Sequence, residues 1–499
     1  MSSPVFTLRL LAANSALALI FKIISIPLGY ITLVLIARLF GAEQMGTYAI
    51  ASYLVAILSV VCRLGLDTGV LRFFAASQAE GGGRDLKQLF FRAAGLTLLF
   101  AGVAGLLLYE GGTWLANRFQ APNLPLMLCF VAPALPLSVL SALCGEGLRA
   151  LGGVRWVVFA QDFLSPLFLL SLVVGMGYFG QGFMATPRGL GLVFLMGTLI
   201  PSIFLGVTLS SHMGDRQGAC PGQSSFKDLL IYSWPLFLSS LLMLAFWSLD
   251  SLILGFFSSP EDVAYYESAA KSALIANLPL IAVNAAVPQL FAQLYQRGEI
   301  KRLEVVAQAT SRWMYYLALP LCLLCLALAP EILNFFGPGF GKAQTALRVL
   351  ALAQLVNASC GCVGLILAMT GHQKTLTVVL ALAGVIGIPL MALAAALYGV
   401  TGIAVAKGLW LVGVSILMSL GVWRHLRIRA YARQVVQANL GGLLGISLFF
   451  LAKPFVGVLG GLAFFALGYA VLTMKNVRRE IGELNHAAAW ENSFEQRIP

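Results

Sequence analysis

Charge is what this sequence has least of. Asp, Glu, Lys and Arg together make up 10% of its 499 residues and apolar residues 59%, against about 25% and roughly 45–50% in soluble domains. A water-soluble core cannot absorb so much apolar surface, so soluble classes are excluded. The chemistry of enzymes is missing too. There is no GxxxxGK[ST] phosphate loop: Gly402-Ile-Ala-Val-Ala-Lys407 lacks the second glycine and lies within an apolar run. There is no HExxH, and the four histidines (His212, His372, His425, His486) stand at the ends of apolar runs or in the tail. The eight cysteines are scattered. Cys322-Leu-Leu-Cys325 sits between leucines and Cys360-Gly-Cys362 has no second ligand pair, so both read as packing, with no metal site or disulfide framework. No catalytic constellation and no cofactor are expected.

What is present is a series of long apolar runs, near 10–38, 46–75, 88–109, 124–148, 156–179, 189–211, 229–257, 263–296, 311–335, 344–370, 375–398, 400–423, 434–452 and 455–474. Runs near 20 residues match helices crossing a hydrocarbon layer of about 30 Å, so an all-α polytopic membrane protein with about 14 transmembrane helices is expected. Arg9 followed by an apolar run resembles a secretory signal, but the run continues to Ile36, which predicts a retained first span.

With the N-terminus cytoplasmic, 22 of the 32 Lys and Arg residues fall on the cytoplasmic side. Five fall outside (Arg38, Arg118, Arg188, Lys342, Lys453) and five within spans (Lys22, Arg63, Lys271, Arg348, Lys407). That asymmetry is the positive-inside rule, and it accounts for the net charge of +12 without a nucleic-acid partner. Cysteines placed at Gly82 and Ser224 should therefore resist an impermeant thiol reagent applied to intact cells, while Glu261→Cys and Gly339→Cys should react. A reactive position 82 would invert the topology.

The runs divide in two. Residues 213–226 are the most polar, Gly/Pro/Ser-rich connection and separate an N-lobe, 1–212, from a C-lobe, 227–430. Residues 431–475 add two spans and 476–499 form a cytoplasmic tail. The lobes repeat: Glu43, Gly46, Tyr48 and Ala51 recur 218 residues later as Glu261, Ala264, Tyr266 and Ala269. Two pseudo-symmetric six-helix lobes, related by an axis along the membrane normal, are the expected architecture. Outer connections of about a dozen residues leave no room for the extramembrane domain that a glycan polymerase or ligase needs.

A charge at mid-membrane costs at least about 2.5 kcal/mol and needs a partner or a function. Lys22 and Arg63 lie at similar depth in the first two spans, and Asp67 is one turn from Arg63. Together the two cations exceed what Asp67 neutralises, which points to an anionic ligand. Asp250 and Lys271 lie in one layer of spans seven and eight and are placed to pair, with Lys407 in the same layer. Glu146 and Asp162, near Arg149 and Arg155, read as an interfacial structural group. Asn277 and Asn284, seven apart on one face of span eight, form a polar stripe that lines a cavity or joins helices.

Leu39-Phe-Gly-Ala-Glu-Gln-Met-Gly-Thr-Tyr48, Gly65-Leu-Asp67 and Arg72-Phe-Phe resemble the opening of the Wzx-type polysaccharide-biosynthesis flippases, in the multidrug/oligosaccharidyl-lipid/polysaccharide exporter superfamily. Asp250-Ser-Leu-Ile-Leu-Gly255, Tyr266 with Ala269-Ala-Lys271, Pro288, and Thr370-Gly371 with Tyr398-Gly-Val-Thr-Gly402 resemble its second half, so the likeness covers residues 10–430. The resemblance implies a V-shaped, MATE-like pair of lobes in a bacterial inner membrane. The implied cargo is an undecaprenyl-diphosphate-linked oligosaccharide, moved outward by alternating access coupled to H+ or Na+. Polysaccharide polymerase and assembly proteins are implied partners, besides membrane lipids. The family's cavity cations carry over to Lys22, Arg63 and Lys271, with Lys407 as a further candidate; Asp67 and Asp250 are the candidates for ion coupling. Ala264, where the repeat predicts glycine, is a departure. A multidrug antiporter of the same superfamily is the alternative; it would want acidic residues for a cationic drug, and the cation excess argues against it.

Overall fold

Inside a bilayer the backbone has only itself to hydrogen-bond, which leaves the helix as the solution for a lone apolar run. A computed structural model describes residues 4–80, 84–179, 186–214, 226–280, 283, 287–430 and 436–495, and every regular element among them is helical. In chain order the helices are α1 (Pro4–Arg63), α2 (Leu66–Glu80), α3 (Arg84–Glu110), α4 (Gly112–Arg118), α5 (Leu124–Ala150), α6 (Val154–Val158), a π-helical turn (Phe159–Leu164), α7 (Ser165–Phe179) and α8 (Pro187–Gly214). There follow α9 (Phe226–Phe257), α10 (Pro260–Ala273), a 3₁₀ turn (Leu274–Asn277), α11 (Pro288–Gln296), α12 (Ile300–Ala327), α13 (Ala329–Asn334) and a second 3₁₀ turn (Phe340–Ala343). The chain closes with α14 (Gln344–Cys360), α15 (Val363–Met369), α16 (Gln373–Leu426) and α17 (Val436–Glu495). Linker residues 215–225, the labelling positions Gly82 and Ser224, and Asn284 lie outside the described residues.

Seven of the described helices are long and apolar enough to cross a membrane, and α14 with α15, bent by 43° between them, pass the same test as a pair. Three helices are far too long for one crossing at 1.5 Å per residue: α1 and α17 have 60 residues and α16 has 54. Each is interrupted by a glycine with positive φ, at Gly41, Gly399 and Gly457; Gly41 and Gly399 fall at the expected junctions of spans one and two and of spans eleven and twelve, whereas Gly457 lies inside the run expected as span fourteen, 455–474. Span eight, expected as one helix, holds α10, the 3₁₀ turn Leu274–Asn277 and α11 among its described residues.

By contacts the chain forms two compact units, one of Met1–Lys271, Pro330–Ala346 and Leu380–Lys407, the other of Ser272–Ala329, Leu347–Val379 and Gly408–Pro499. In the first, α5 is the enclosed helix, packed by α1, α2, α3 and α8; its Leu143 and Leu148 are buried in one core with Leu66, Phe74 and Leu205. Lipid tails are as apolar as leucine, so close approach of small residues holds such helices together. In the second unit Phe291, Leu303, Met314, Ile366 and Val422 form the core. Many large apolar side chains face outward, Leu106 (67% exposed) and Val385 (73%) among them, as a lipid-facing surface requires.

The departure in the repeat now has a cause. A Cβ on Gly46 would stand 1.7 Å from the Pro260 carbonyl oxygen, so the start of the second half of α1 lies directly against the start of α10, where only glycine fits. Ala264 is buried without that constraint.

Candidate functional site

The first cluster is built at a helix break. The expected second span does not run through: α1 ends at Arg63, Leu64 and Gly65 take positive φ, and α2 begins at Leu66. Arg63 thus sits at the negative end of one helix dipole and Asp67 in the first turn of the next, each on the favourable side. Arg63 donates to the Asp67 carboxylate at 2.8 Å and to the Ser59 carbonyl at 3.1 Å, while the backbone N–H of Thr68 donates to the other Asp67 oxygen at 2.9 Å. The pair is largely buried, with side chains 20% and 12% exposed.

Further charges join it from α5 and the π-helical turn. Glu146 is bound by Arg149, and it also feels the charges of Asp67 and Arg63. Arg149 reaches Gln161 at 3.4 Å, and the neighbouring Asp162 feels both Lys22 and Arg149. Lys22 is exposed, and the adjacent Phe21 packs on Phe159 and Phe163 at 5.5 and 5.3 Å, which docks the first part of α1 on that turn. Arg155 is elsewhere, over the ring of Trp156. Three cations, Lys22, Arg63 and Arg149, therefore share this region with three carboxylates, Asp67, Glu146 and Asp162, where the sequence reading counted two cations against one. A π-turn marks functional positions in many helices; here it carries Gln161 and Asp162.

The second cluster is formed by α9, α10, the second half of α1 and α16. Asp250 accepts from the Tyr266 hydroxyl at 2.5 Å and stands 3.5 Å from the Lys407 ammonium. Lys271, placed by sequence to pair with Asp250, takes Glu267 at 3.2 Å instead. Glu267 also accepts from Tyr53 at 2.7 Å and from Ser251 at 2.8 Å. Glu267 and Tyr53 are the residues that sequence reasoning missed. The signal was available for Glu267, a carboxylate inside an apolar run four residues before Lys271.

Asn277 ends the first 3₁₀ turn, buried, with a side-chain oxygen that has no hydrogen-bond partner among the described residues. Its partner in the expected stripe, Asn284, is outside them. His372 and His425 lie at span ends as expected, their rings 4.5 Å apart. Burial, and then the charge of His425, push the His372 imidazole below its ordinary range.

The chain can be compared with known proteins on this geometry. The family model "Polysaccharide biosynthesis protein" matches residues 11–294, and the MatE model matches residues 235–393. Among solved structures, the lipid II flippase MurJ in an inward closed conformation superposes with a TM-score of 0.71 at 14% identity, covering 93% of this chain and 100% of that one. An inward-facing multidrug resistance MATE family transporter of the MOP superfamily gives 0.63 at 13% identity, covering 83% and 98%. A MATE protein in the straight conformation gives 0.58 at 15% identity, covering 83% and 95%. No curated protein matches. At such identities the structural likeness establishes the fold, while function is argued from the site.

Proposed function

Because the chain belongs to the polysaccharide biosynthesis protein family, within the MOP exporter superfamily of transporters rather than catalysts, we propose that it is a Wzx-type flippase of a bacterial inner membrane. Its cargo in this reading is an undecaprenyl-diphosphate-linked oligosaccharide, and it works with fourteen spans in two six-helix lobes and both termini cytoplasmic. The observation that carries the reading is the charged cluster at the break between α1 and α2. A lipid-linked diphosphate brings negative charge into a low-dielectric layer, where prepositioned cations are worth most. Lys22 and Arg63 supply them from α1, and Arg149 adds a third from α5.

Each of these cations already has a carboxylate nearby, so binding is an exchange of partners. When Arg63 turns to a phosphate, Asp67 loses its counter-charge in a buried place, and taking up H+ or Na+ removes that cost. Coupling to an ion gradient then follows from the charge balance, with Asp67 as the group that responds and Asp250 as the second candidate. Lys271 and Lys407 complete the proposed polar lining. Polymerase and assembly proteins would receive the cargo outside.

A MatE match over residues 235–393 favours drug export as the second reading. A cationic drug needs a carboxylate that is not already neutralised, and Asp67, Asp250 and Glu267 each hold a cation. Purified protein in proteoliposomes separates the two. With a fluorescent undecaprenyl-diphosphate disaccharide in the inner leaflet and an imposed proton or sodium gradient, the label should become accessible to an impermeant quencher faster than in protein-free vesicles. Uptake of a cationic dye with no movement of the lipid would establish the drug antiporter instead.

A further inference from the structure

Away from both clusters, the break of α1 at Gly41 opens a cavity of about 590 Å³ together with residues 334–340, a size within the range of ligand sites. Its wall carries Arg38, which donates its Nε–H to the Phe335 carbonyl at 2.6 Å. That bond fixes the base of the guanidinium, and it is the one hydrogen bond that Arg38 makes among the described residues. The floor is aromatic: Phe336 and Phe340 are buried and stacked with centroids 5.6 Å apart, and Tyr30 meets Phe336 edge-on at 5.3 Å. Among the described residues that line it there is no carboxylate.

On the proposed topology this cavity is at the outer surface, where cations are rare. Of the five Lys and Arg expected there, Arg118, Lys342 and Lys453 lie over the rings of Phe256, Tyr265 and Phe449. Arg38 instead lines an open cavity, with Lys342 two residues from Phe340 on the same segment. Beside it Leu39 and Phe335 are 47% and 61% exposed. A soluble anion would engage the guanidinium alone and make no use of those two apolar side chains. A lipid satisfies both, its phosphate on Arg38 and its chains along Leu39 and Phe335, because a guanidinium fork matches a phosphate in two parallel hydrogen bonds.

We propose that this cavity binds the phosphate headgroup of a lipid in the outer leaflet, with Arg38 as the recognising residue. The site uses none of the residues assigned to cargo movement, so its failure would leave that reading standing. A phospholipid and the diphosphate lipid released after translocation share this chemistry.

The full-length protein, purified and delipidated, is titrated separately with phosphatidylglycerol and with undecaprenyl diphosphate, and bound lipid is counted by native mass spectrometry. Arg38→Gln keeps an N–H donor for the Phe335 carbonyl but removes the charge and both hydrogen bonds of the fork, and should lower retention of the true ligand about a hundredfold, the worth of two charge-assisted hydrogen bonds. Arg38→Lys should fall between it and the parent. Loss confined to phosphatidylglycerol identifies a phospholipid site, and loss confined to undecaprenyl diphosphate identifies an exit station for the cargo lipid. Loss of both identifies a general phosphate-lipid site. Equal retention of both lipids by Arg38→Gln and the parent, at equal thermal stability, overturns the proposal.

Discussion

Arg63→Ala is expected to stop glycan export, while Arg63→Lys keeps part of it. Arg63 is held in place by the Ser59 carbonyl and the Asp67 carboxylate, with its side chain 20% exposed, so it is oriented before any cargo arrives. Two charge-assisted hydrogen bonds to a phosphate are worth roughly 3 kcal/mol or more, a factor of a hundred or more in binding. Lysine retains the charge but not the planar fork, so a partial rate should survive. The alanine variant also leaves Asp67 buried without its partner, a structural cost that could be mistaken for loss of transport. Arg63→Ala combined with Asp67→Asn separates the two: it should restore protein abundance in the membrane without restoring export. Export at the parent level in Arg63→Ala, measured as surface glycan at equal abundance, would mean that the cargo binds elsewhere.

The second large effect concerns Asp250 and Lys407, whose side chains are 9% and 14% exposed. Removing one member of a buried ion pair costs about 3–5 kcal/mol, because the other charge stays behind, whereas replacing both is close to neutral. Asp250→Ala and Lys407→Ala should each sharply reduce folded protein, and Asp250→Ala/Lys407→Ala should recover most of it. Melting temperatures in detergent give the coupling energy by a double-mutant cycle. Export then decides the role of the pair. If the stable double variant exports normally, Asp250 and Lys407 hold helices together; if it is folded and inactive, they take part in transport. Tyr266, which also bonds Asp250, loses that acceptor in Asp250→Ala and in the double variant alike, so its cost cancels in the cycle.

The membrane class, the all-helical fold and the family resemblance could be read from the chain, because a bilayer imposes one rule on every apolar run. The junctions at Gly41 and Gly399 were legible for the same reason: charge, polarity and glycine mark where a helix must leave the lipid; the break at Gly457 was not, because it falls inside a run read as one span, 455–474. Arg63 and Asp67 were legible as partners, since four residues separate them. That they pair across a break was not, because the break depends on Leu64 and Gly65 taking positive φ.

Pairing between distant residues belonged to the tertiary structure alone. Sequence spacing offered Lys271 to Asp250, yet Asp250 lies closer to a lysine 157 positions further on, at 407. Glu267 is where three elements converge, through Tyr53, Ser251 and Lys271. The count of charges around Lys22 and Arg63 changed likewise when α5 and the π-helical turn brought Glu146, Arg149 and Asp162 beside them. Hydropathy acts locally and is written along the chain. Electrostatic neutralisation in a low dielectric acts across space, and only the packing of helices decides which charges meet.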